Sequence, residues 1–159
     1  MTCGTCTFCC RAMAVVELSK PVDQWCEFTR AHKGCSIYDE RPPSCRDFQC
    51  YWLATQSNDD PKVRMPLEFR PDKSRCMITD HYPDKVVCKV DPREPLAFRK
   101  QPMWTFLYSR ALTAQVYVIA GTRVFQIFPP HMGVVGGFEE LPRERVRIRG
   151  NDIDIVVMT

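Results

Sequence analysis

The chain opens with the sequence Cys3-Gly4-Thr5-Cys6-Thr7-Phe8-Cys9-Cys10, the densest cluster of cysteines in its 159 residues. Two residues between paired cysteines let the backbone turn tightly, so that both sulfurs reach the same ion. Because Cys9 and Cys10 leave the backbone in opposite directions, we expect them to serve two ions, or one of them to bridge two ions. Further cysteines follow, which makes eight predicted metal ligands: Cys3, Cys6, Cys9, Cys10, Cys26, Cys35, Cys45 and Cys50.

The pattern of these cysteines suits two kinds of metal centre. Eight thiolates divide into two tetrahedral four-sulfur sites, the arrangement that structural zinc prefers, and we therefore favour zinc. An iron–sulfur cluster is the alternative, because many cubane clusters take three of their four ligands from cysteines at this spacing. Sulfur ligands suit zinc, iron–sulfur clusters and Cu(I) alike, so the spacing leaves the metal open.

The number of cysteines also bears on the cellular compartment. The chain has ten cysteines, and Met1–Gly4 begins without the basic and apolar regions of a signal peptide. Its longest apolar stretches, such as 116–120 and 153–158, are too short to span a bilayer. We therefore predict a cytoplasmic protein with no membrane partner, in which so many cysteines indicate metal or redox chemistry rather than disulfides.

Composition predicts a folded protein of the α+β class. Apolar residues make up 45% of the chain and charged residues 26%, which is ordinary for a globular domain. We expect an irregular, metal-stabilised cysteine-rich module at 1–60, packed with a small α+β portion at 61–159 that contains antiparallel hairpins. The alternative is that the two parts form one compact domain. The first carries a net charge of −2 and the second +5.

Sequence patterns predict a few helices and strands. One helix is expected to start near Pro42-Pro43 and run through Leu53, which would place Cys45, Phe48 and Trp52 on one face. A second is expected at 103–113. Buried strands are predicted at 116–120 and 124–128, around a Gly121-Thr122 turn.

A hairpin is predicted at 146–157, where apolar and charged residues alternate on both sides of Gly150-Asn151. A two-residue turn there would set Arg149 opposite Asp152 and Arg147 opposite Asp154. These pairs explain the arginines better than a nucleic-acid surface does.

Other residues are weaker candidates for the metal site. Arg11, Arg41 and Arg46 are predicted to compensate the negative charge of the thiolates. Cys76 and Cys88 are expected to be ordinary buried cysteines. His32 lies between two predicted ligands and could replace a sulfur, although we expect it in solvent.

The combination of these motifs closely resembles the bacterial CxxCxxCC zinc- or iron-chelating family, also called the YkgJ-type cysteine cluster proteins. The likeness covers residues 3–50, through the opening cluster, Cys26, the segment Gly34-Cys35-Ser36-Ile37-Tyr38-Asp39-Glu40-Arg41-Pro42, and Cys45-Arg46-Asp47-Phe48-Gln49-Cys50. The resemblance implies a metal-chelating domain carried by the eight matching cysteines. Relatives of the domain occur in flagellin lysine methylases, but this chain shows no recognisable methyl-donor site. Cys76 and Cys88 lie outside the motif.

Three functions are consistent with these features. The leading hypothesis is a cytoplasmic metal-binding protein whose α+β portion recognises a protein partner. The second is an iron–sulfur redox enzyme or electron-transfer protein, so the sequence leaves open whether the chain is an enzyme. A zinc-dependent nucleic-acid binder ranks lowest, because the cysteine-rich part is net negative before its thiolates are counted.

Overall fold

The structure is a computed structural model that describes residues 3–155. It is an α+β fold around one five-stranded sheet, as the composition predicts. The helices are α1 (Phe8–Ala12), α2 (Pro43–Asp47), α3 (Tyr51–Gln56), α4 (Pro71–Ser74) and α5 (Met103–Arg110). The strands are β1 (Thr29–Arg30), β2 (Gly34–Cys35), β3 (Cys76–His81), β4 (Lys85–Val90), β5 (Gln115–Ala120), β6 (Arg123–Ile127), β7 (Phe138–Glu140), β8 (Val146–Arg149) and β9 (Asp152–Ile155).

The five-stranded sheet has the order β3-β4-β5-β6-β7. All neighbouring strands are antiparallel except β4 and β5, which run parallel. A parallel pair needs a long crossover, and the segment from Asp91 to Ala114, which includes α5, provides it. The expected antiparallel hairpins are present, for example β5–β6 and β8–β9. The parallel pair was not predicted, and it arises because a helix lies between these two strands in the chain.

Two apolar layers cover the faces of the sheet. On one face, Val86, Val116 and Phe125 pack against Phe98 and Leu107 of the crossover. On the other face, Val87, Tyr117, Ile119 and Val124 pack with Leu141 and with the partly buried Val146 and Ile148 of β8. Alternate residues of β4 and β5 therefore face opposite layers. In β5 this makes 116–120 apolar throughout, as the sequence predicted, whereas β4 also contains Lys85 and Lys89.

The predicted strands and the hairpin register are confirmed, but one predicted helix is wrong. The β8–β9 register pairs Arg149 with Asp152 and Arg147 with Asp154, while 156–157 of the expected hairpin lie outside the described residues. Instead of a single helix from Pro42-Pro43 to Leu53, α2 ends at Asp47 and α3 begins at Tyr51.

The break between α2 and α3 has a physical reason in the packing of its residues. Phe48 is extended, with φ −78° and ψ 127°, and Cys50 is extended as the N-cap of α3. Phe48 packs with the buried Cys50 in an apolar cluster. In an unbroken helix these two side chains would point to different sides and could not both reach that cluster. Cys45, Phe48 and Trp52 therefore do not share one helical face.

The cysteine-rich segment is joined to the sheet by packing and to the loop before β3 by a hydrogen bond. Met77 of β3 is buried with Ala12 and Leu53 in that apolar cluster. The indole nitrogen of Trp52 donates to the carbonyl oxygen of Pro66 at 3.1 Å.

Among the helices within residues 3–155, none has the length and apolarity needed to cross a membrane.

Candidate metal centre

A cavity of about 230 Å³ lies between the cysteine-rich segment and β3. All eight predicted ligands line it: Cys3, Cys6, Cys9, Cys10, Cys26, Cys35, Cys45 and Cys50. All eight are free thiols. Apolar side chains, including Met13, Val15 and Leu53, form much of the remaining wall. Residues separated by up to 47 positions in the chain are thus gathered around one space.

The short elements of the first fifty residues position these cysteines. The amide of Cys6 donates to the carbonyl of Cys3 at 3.1 Å, which closes the first turn. Cys9 and Cys10 stand on α1, and the amide of Cys26 donates to the carbonyl of Cys10 at 3.0 Å. The three remaining cysteines come from β2, α2 and the N-cap of α3, namely Cys35, Cys45 and Cys50.

Three of the sulfurs, those of Cys3, Cys9 and Cys10, interact directly. A hydrogen-bonding contact with Cys9 lowers the pKa of Cys10 to about 6 and that of Cys3 to about 7. The same contacts raise the pKa of Cys9 well above its ordinary value. Cys3 and Cys10 therefore carry substantial thiolate character at neutral pH, and the thiolate is the form of cysteine that binds metal.

Other cysteines of the cavity favour the protonated thiol. Burial raises the pKa of Cys6, Cys35 and Cys45, and it raises that of Cys50 to about 11. A metal ion that bound these sulfurs would have to displace their protons.

A buried lysine supplies positive charge to this site. Lys20 is 8% exposed, and its ammonium donates to the carbonyl oxygens of Arg11 at 3.1 Å, Pro21 at 3.0 Å and Met13. Burial lowers the pKa of Lys20, whereas the nearby charges of Cys26, Cys10, Asp23 and Cys45 act in the opposite direction. Among the side chains that the structure describes, those of residues 3–152, no carboxylate lies within ion-pair distance of this ammonium. A buried cation without a carboxylate partner suits a neighbouring group of thiolates.

The predicted arginines occupy different places. Arg41 stacks on the ring of Tyr38, 3.6 Å from its centroid, and its charge lowers the pKa of Cys3 further, beyond the larger effect of Cys9. Arg46 stands in the last turn of α2. Arg11 instead points away from the cavity and pairs with Asp91 at 3.1 Å.

Residues that the sequence did not single out complete the surroundings of the cavity. Arg70 lies close enough to add to the lowering of the pKa of Cys3, and its Nη2 donates to Thr5 at 2.9 Å. Asn151, in the turn of the β8–β9 hairpin, lines the cavity. Its side chain accepts from the amide of Ala14 at 2.7 Å and donates to the carbonyl of the same residue at 3.1 Å. In the sequence, Lys20 could have been noticed only as an isolated lysine in a cysteine-rich segment. Asn151 could be recognised only as a turn residue, and nothing in the sequence indicated that it lines the cavity.

The remaining candidates lie elsewhere. Cys76 and Cys88 are fully buried in the sheet, on β3 and β4, which confirms that they are core cysteines. His32 is exposed, with φ 58°, in the turn between β1 and β2.

The sulfurs share the cavity without forming a finished ligand sphere. Within the described residues, no three His, Cys, Asp or Glu side chains are close enough together to hold an ion as they stand. The donor set nevertheless fits a metal in its chemistry, because eight thiols line one largely apolar space and a buried cation lies near three of them. Comparison with family models, with curated proteins and with solved structures found no match to this chain.

Proposed function

We propose that this chain is a metal-binding protein that uses the eight cysteines of the cavity as thiolate ligands. One observation carries the proposal: every cysteine of the CxxCxxCC-type pattern lines the same cavity of about 230 Å³. The two cysteines outside the pattern are packed in the sheet instead. Ordinary core cysteines pack singly among apolar side chains and do not collect around one space.

Zinc is the metal that we favour for this site. Eight thiolates supply the ligands of two tetrahedral zinc ions. A zinc–thiolate site absorbs no visible light, so the protein would be colourless. Two Zn²⁺ ions with eight thiolates carry a charge of −4, which the charges of Lys20, Arg41 and Arg70 would offset in part. An iron–sulfur cluster is the second candidate, since the apolar wall would shield a cluster from water, and it would supply electron-transfer chemistry when bound.

The proposal extends to the cell compartment and to the family. Ten free thiols in one chain suit a reducing compartment, so we place the protein in the cytoplasm. The family that fits the site is the CxxCxxCC zinc- or iron-chelating family, which the residues at 3–50 resemble. A zinc-dependent nucleic-acid binder ranks below a protein with a protein partner, because the cysteine-rich segment that would hold the zinc is net negative.

Metal analysis of the anaerobically purified full chain tests this function. We expect about two zinc ions per chain in a colourless protein. Brown protein that contains iron and acid-labile sulfide would identify the iron–sulfur alternative. A folded chain that holds neither metal after anaerobic reconstitution, with all eight thiols titrating freely, would overturn metal binding altogether.

A pair of matched variants links the metal to the cavity. Cys45→Ala removes a predicted ligand, and we expect it to lower the metal content. Cys88→Ala removes a thiol that lies in the sheet and should leave the metal content unchanged. Equal metal loss in both variants would indicate general unfolding rather than loss of a ligand.

A further inference from the structure

A second, smaller cavity of about 70 Å³ lies against α1 and shares no lining residue with the cysteine cavity. Phe8 and Arg11 of α1 line the small cavity. Cys9 and Cys10 of the same helix line the large one. Residues three apart on a helix share a face, so α1 presents a different side to each space. The small cavity is therefore distinct from the candidate metal centre.

Three arginine side chains from separate elements line the small cavity. Arg11 stands in the last turn of α1, Arg75 is the C-cap of α4, and Arg93 follows β4. A guanidinium carries five N–H donors in a planar fork, and this geometry matches the oxygens of carboxylate and phosphate groups. Three such groups around one space are typical of a site for an oxyanion.

A single buried carboxylate, that of Asp91, holds this arrangement together. It accepts from Nη1 of Arg11 at 3.1 Å and from Nη2 of Arg93 at 2.7 Å, and it is only 4% exposed. The backbone amide of Asp91 donates to the carbonyl oxygen of Arg75 at 3.1 Å, which fixes the third arginine beside the other two. One negative charge is thus shared by two guanidinium groups, and positive charge remains for a ligand.

The arginines keep N–H groups that the protein does not use. Within residues 3–152, Arg11 spends only Nη1 on an acceptor, and Arg93 spends Nε and Nη2, all of them on Asp91. Nε of Arg75 is 3.6 Å from Glu94, beyond hydrogen-bonding distance. Lys100 lies closer to that carboxylate, at 2.9 Å. The guanidinium of Arg75 is therefore the least committed of the three.

Two further carboxylates line the small cavity, and each has cations of its own. Asp72 lies 3.0 Å from Nε of Arg70. Burial is the main influence that raises the pKa of Asp23, and three cations act against it: Lys89, Arg11 and Lys20. These two carboxylates therefore do not neutralise Arg75 and Arg93.

We propose that the small cavity binds a phosphoryl oxyanion through Arg11, Arg75 and Arg93, either as inorganic phosphate or as the phosphoryl group of a small ester. A phosphoryl group has at least three terminal oxygens, so it can accept from three guanidinium groups that come from different elements. A carboxylate has two oxygens and matches a single guanidinium fork. The volume of about 70 Å³ admits one such group and leaves the rest of an ester outside, beside Trp25, which lines the cavity and is 55% exposed.

Titration of the full chain, as purified, with inorganic phosphate at constant ionic strength tests this site. NMR signals of the Trp25 indole N–H and the Arg93 amide report binding, because both residues line the cavity. We expect saturable shifts in the wild-type protein. Arg75→Gln removes one guanidinium, and we expect it to weaken the affinity for phosphate about tenfold or more, the effect of losing a hydrogen bond between charged groups.

Arg123→Gln is the matched control for Arg75→Gln. Arg123 also pairs with a surface glutamate, and its side chain is 46% exposed where that of Arg75 is 45% exposed. Because such exposed pairs contribute little to stability, both variants should fold as the wild type does. The control should keep the wild-type affinity. Shifts that do not saturate, or an equal loss of affinity in both variants, would overturn the proposal.

Two further probes identify the chemistry of the ligand. Phenyl phosphate that binds at least as tightly as inorganic phosphate would support the proposal with an ester as the ligand. Tighter binding of inorganic phosphate would support it with the free ion as the ligand. Acetate that binds as tightly as phosphate would overturn the assignment of a phosphoryl group.

Discussion

Arg11 and Asp91 join the cysteine-rich segment to the end of β4, with Nη1 of the arginine 3.1 Å from Oδ1 of the aspartate. The two residues are 80 positions apart, and the carboxylate is only 4% exposed. Arg93 contacts the same carboxylate at 2.7 Å. Arg11 follows Cys10 directly, so this ion pair fixes the end of α1 that carries the cavity sulfurs.

Asp91→Asn is predicted to destabilise the fold in a way that depends on pH. The hydrogen bonds from Arg93, with a contribution from Arg11, hold the pKa of Asp91 at about 2, below its ordinary value of 3.8. A depressed folded pKa stabilises the protein fully above the unfolded value, and this contribution is lost as pH falls through about 2. We therefore expect a loss of about 2 kcal/mol in the free energy of unfolding at pH 7, which shrinks below pH ~4.

Denaturant unfolding at several pH values measures this effect, with Glu140→Gln as the control. Glu140 pairs with Arg123 at 2.8 Å, but both side chains are nearly half exposed, so its removal should change stability little. A loss in the Asp91 variant that stays constant down to pH ~2 would show that the charge is not the cause.

Lys20→Met is predicted to weaken metal binding. The substitution keeps the length of the side chain and removes a buried positive charge near Cys10, Cys26 and Cys45. At an effective dielectric constant of about 20, the loss of one nearby positive charge is expected to lower the affinity for zinc roughly tenfold. Competition with a chromophoric chelator measures it, and Lys33→Met, at an exposed lysine in the same segment, is the control. Equal affinities in the two variants would remove Lys20 from the metal site.

Asn151→Ala is predicted to loosen the contact between the β8–β9 turn and the residues after α1. The substitution removes two hydrogen bonds to Ala14, which costs about 1–3 kcal/mol in the free energy of unfolding. Faster hydrogen exchange at the amide of Ala14 would report the loss directly. Asn58→Ala, in an exposed turn, should leave that amide unchanged. Unaltered exchange at Ala14 in the Asn151 variant would contradict the proposed contact.

Arg147→Glu is predicted to destabilise the β8–β9 hairpin while metal content stays the same. Arg147 stands opposite Asp154 in the strand register, so the change sets two negative charges against each other, worth roughly 0.2–1 kcal/mol. Thermal unfolding and zinc analysis measure the two quantities. The double variant Arg147→Glu with Asp154→Arg restores opposite charges and should recover the lost stability. If that exchange recovers nothing, the cross-strand pair has no energetic role.

Sequence patterns predicted the strands that pair with their neighbours in the chain. The β8–β9 register followed from alternation around Gly150-Asn151, and β5 and β6 followed from apolar runs around Gly121. The parallel pairing of β4 with β5 was not predictable in the same way, because it joins residues across the long crossover that holds α5. Similarly, the break at Phe48 depends on packing against Met77, a residue from a different part of the chain.

The same contrast holds for the candidate site, where the cysteines could be predicted from the sequence but the contacts of other side chains could not. The spacing of the first four cysteines, the density of cysteines up to Cys50 and the family resemblance together selected all eight cysteines that line the cavity. They could not assign the partners of individual side chains, and Arg11 illustrates this because its partner is Asp91 rather than a sulfur. Lys20 was missed because its three acceptors are backbone carbonyl oxygens, which leave no trace in the sequence.

The main apolar layers of the sheet contain none of the eight cavity cysteines, and the cysteine-rich segment is fastened to that sheet through Met77, Arg11 and Asn151. Under the proposed metal-binding function, the sheet would therefore fold without the ions, and they would enter a cavity whose walls are already in place.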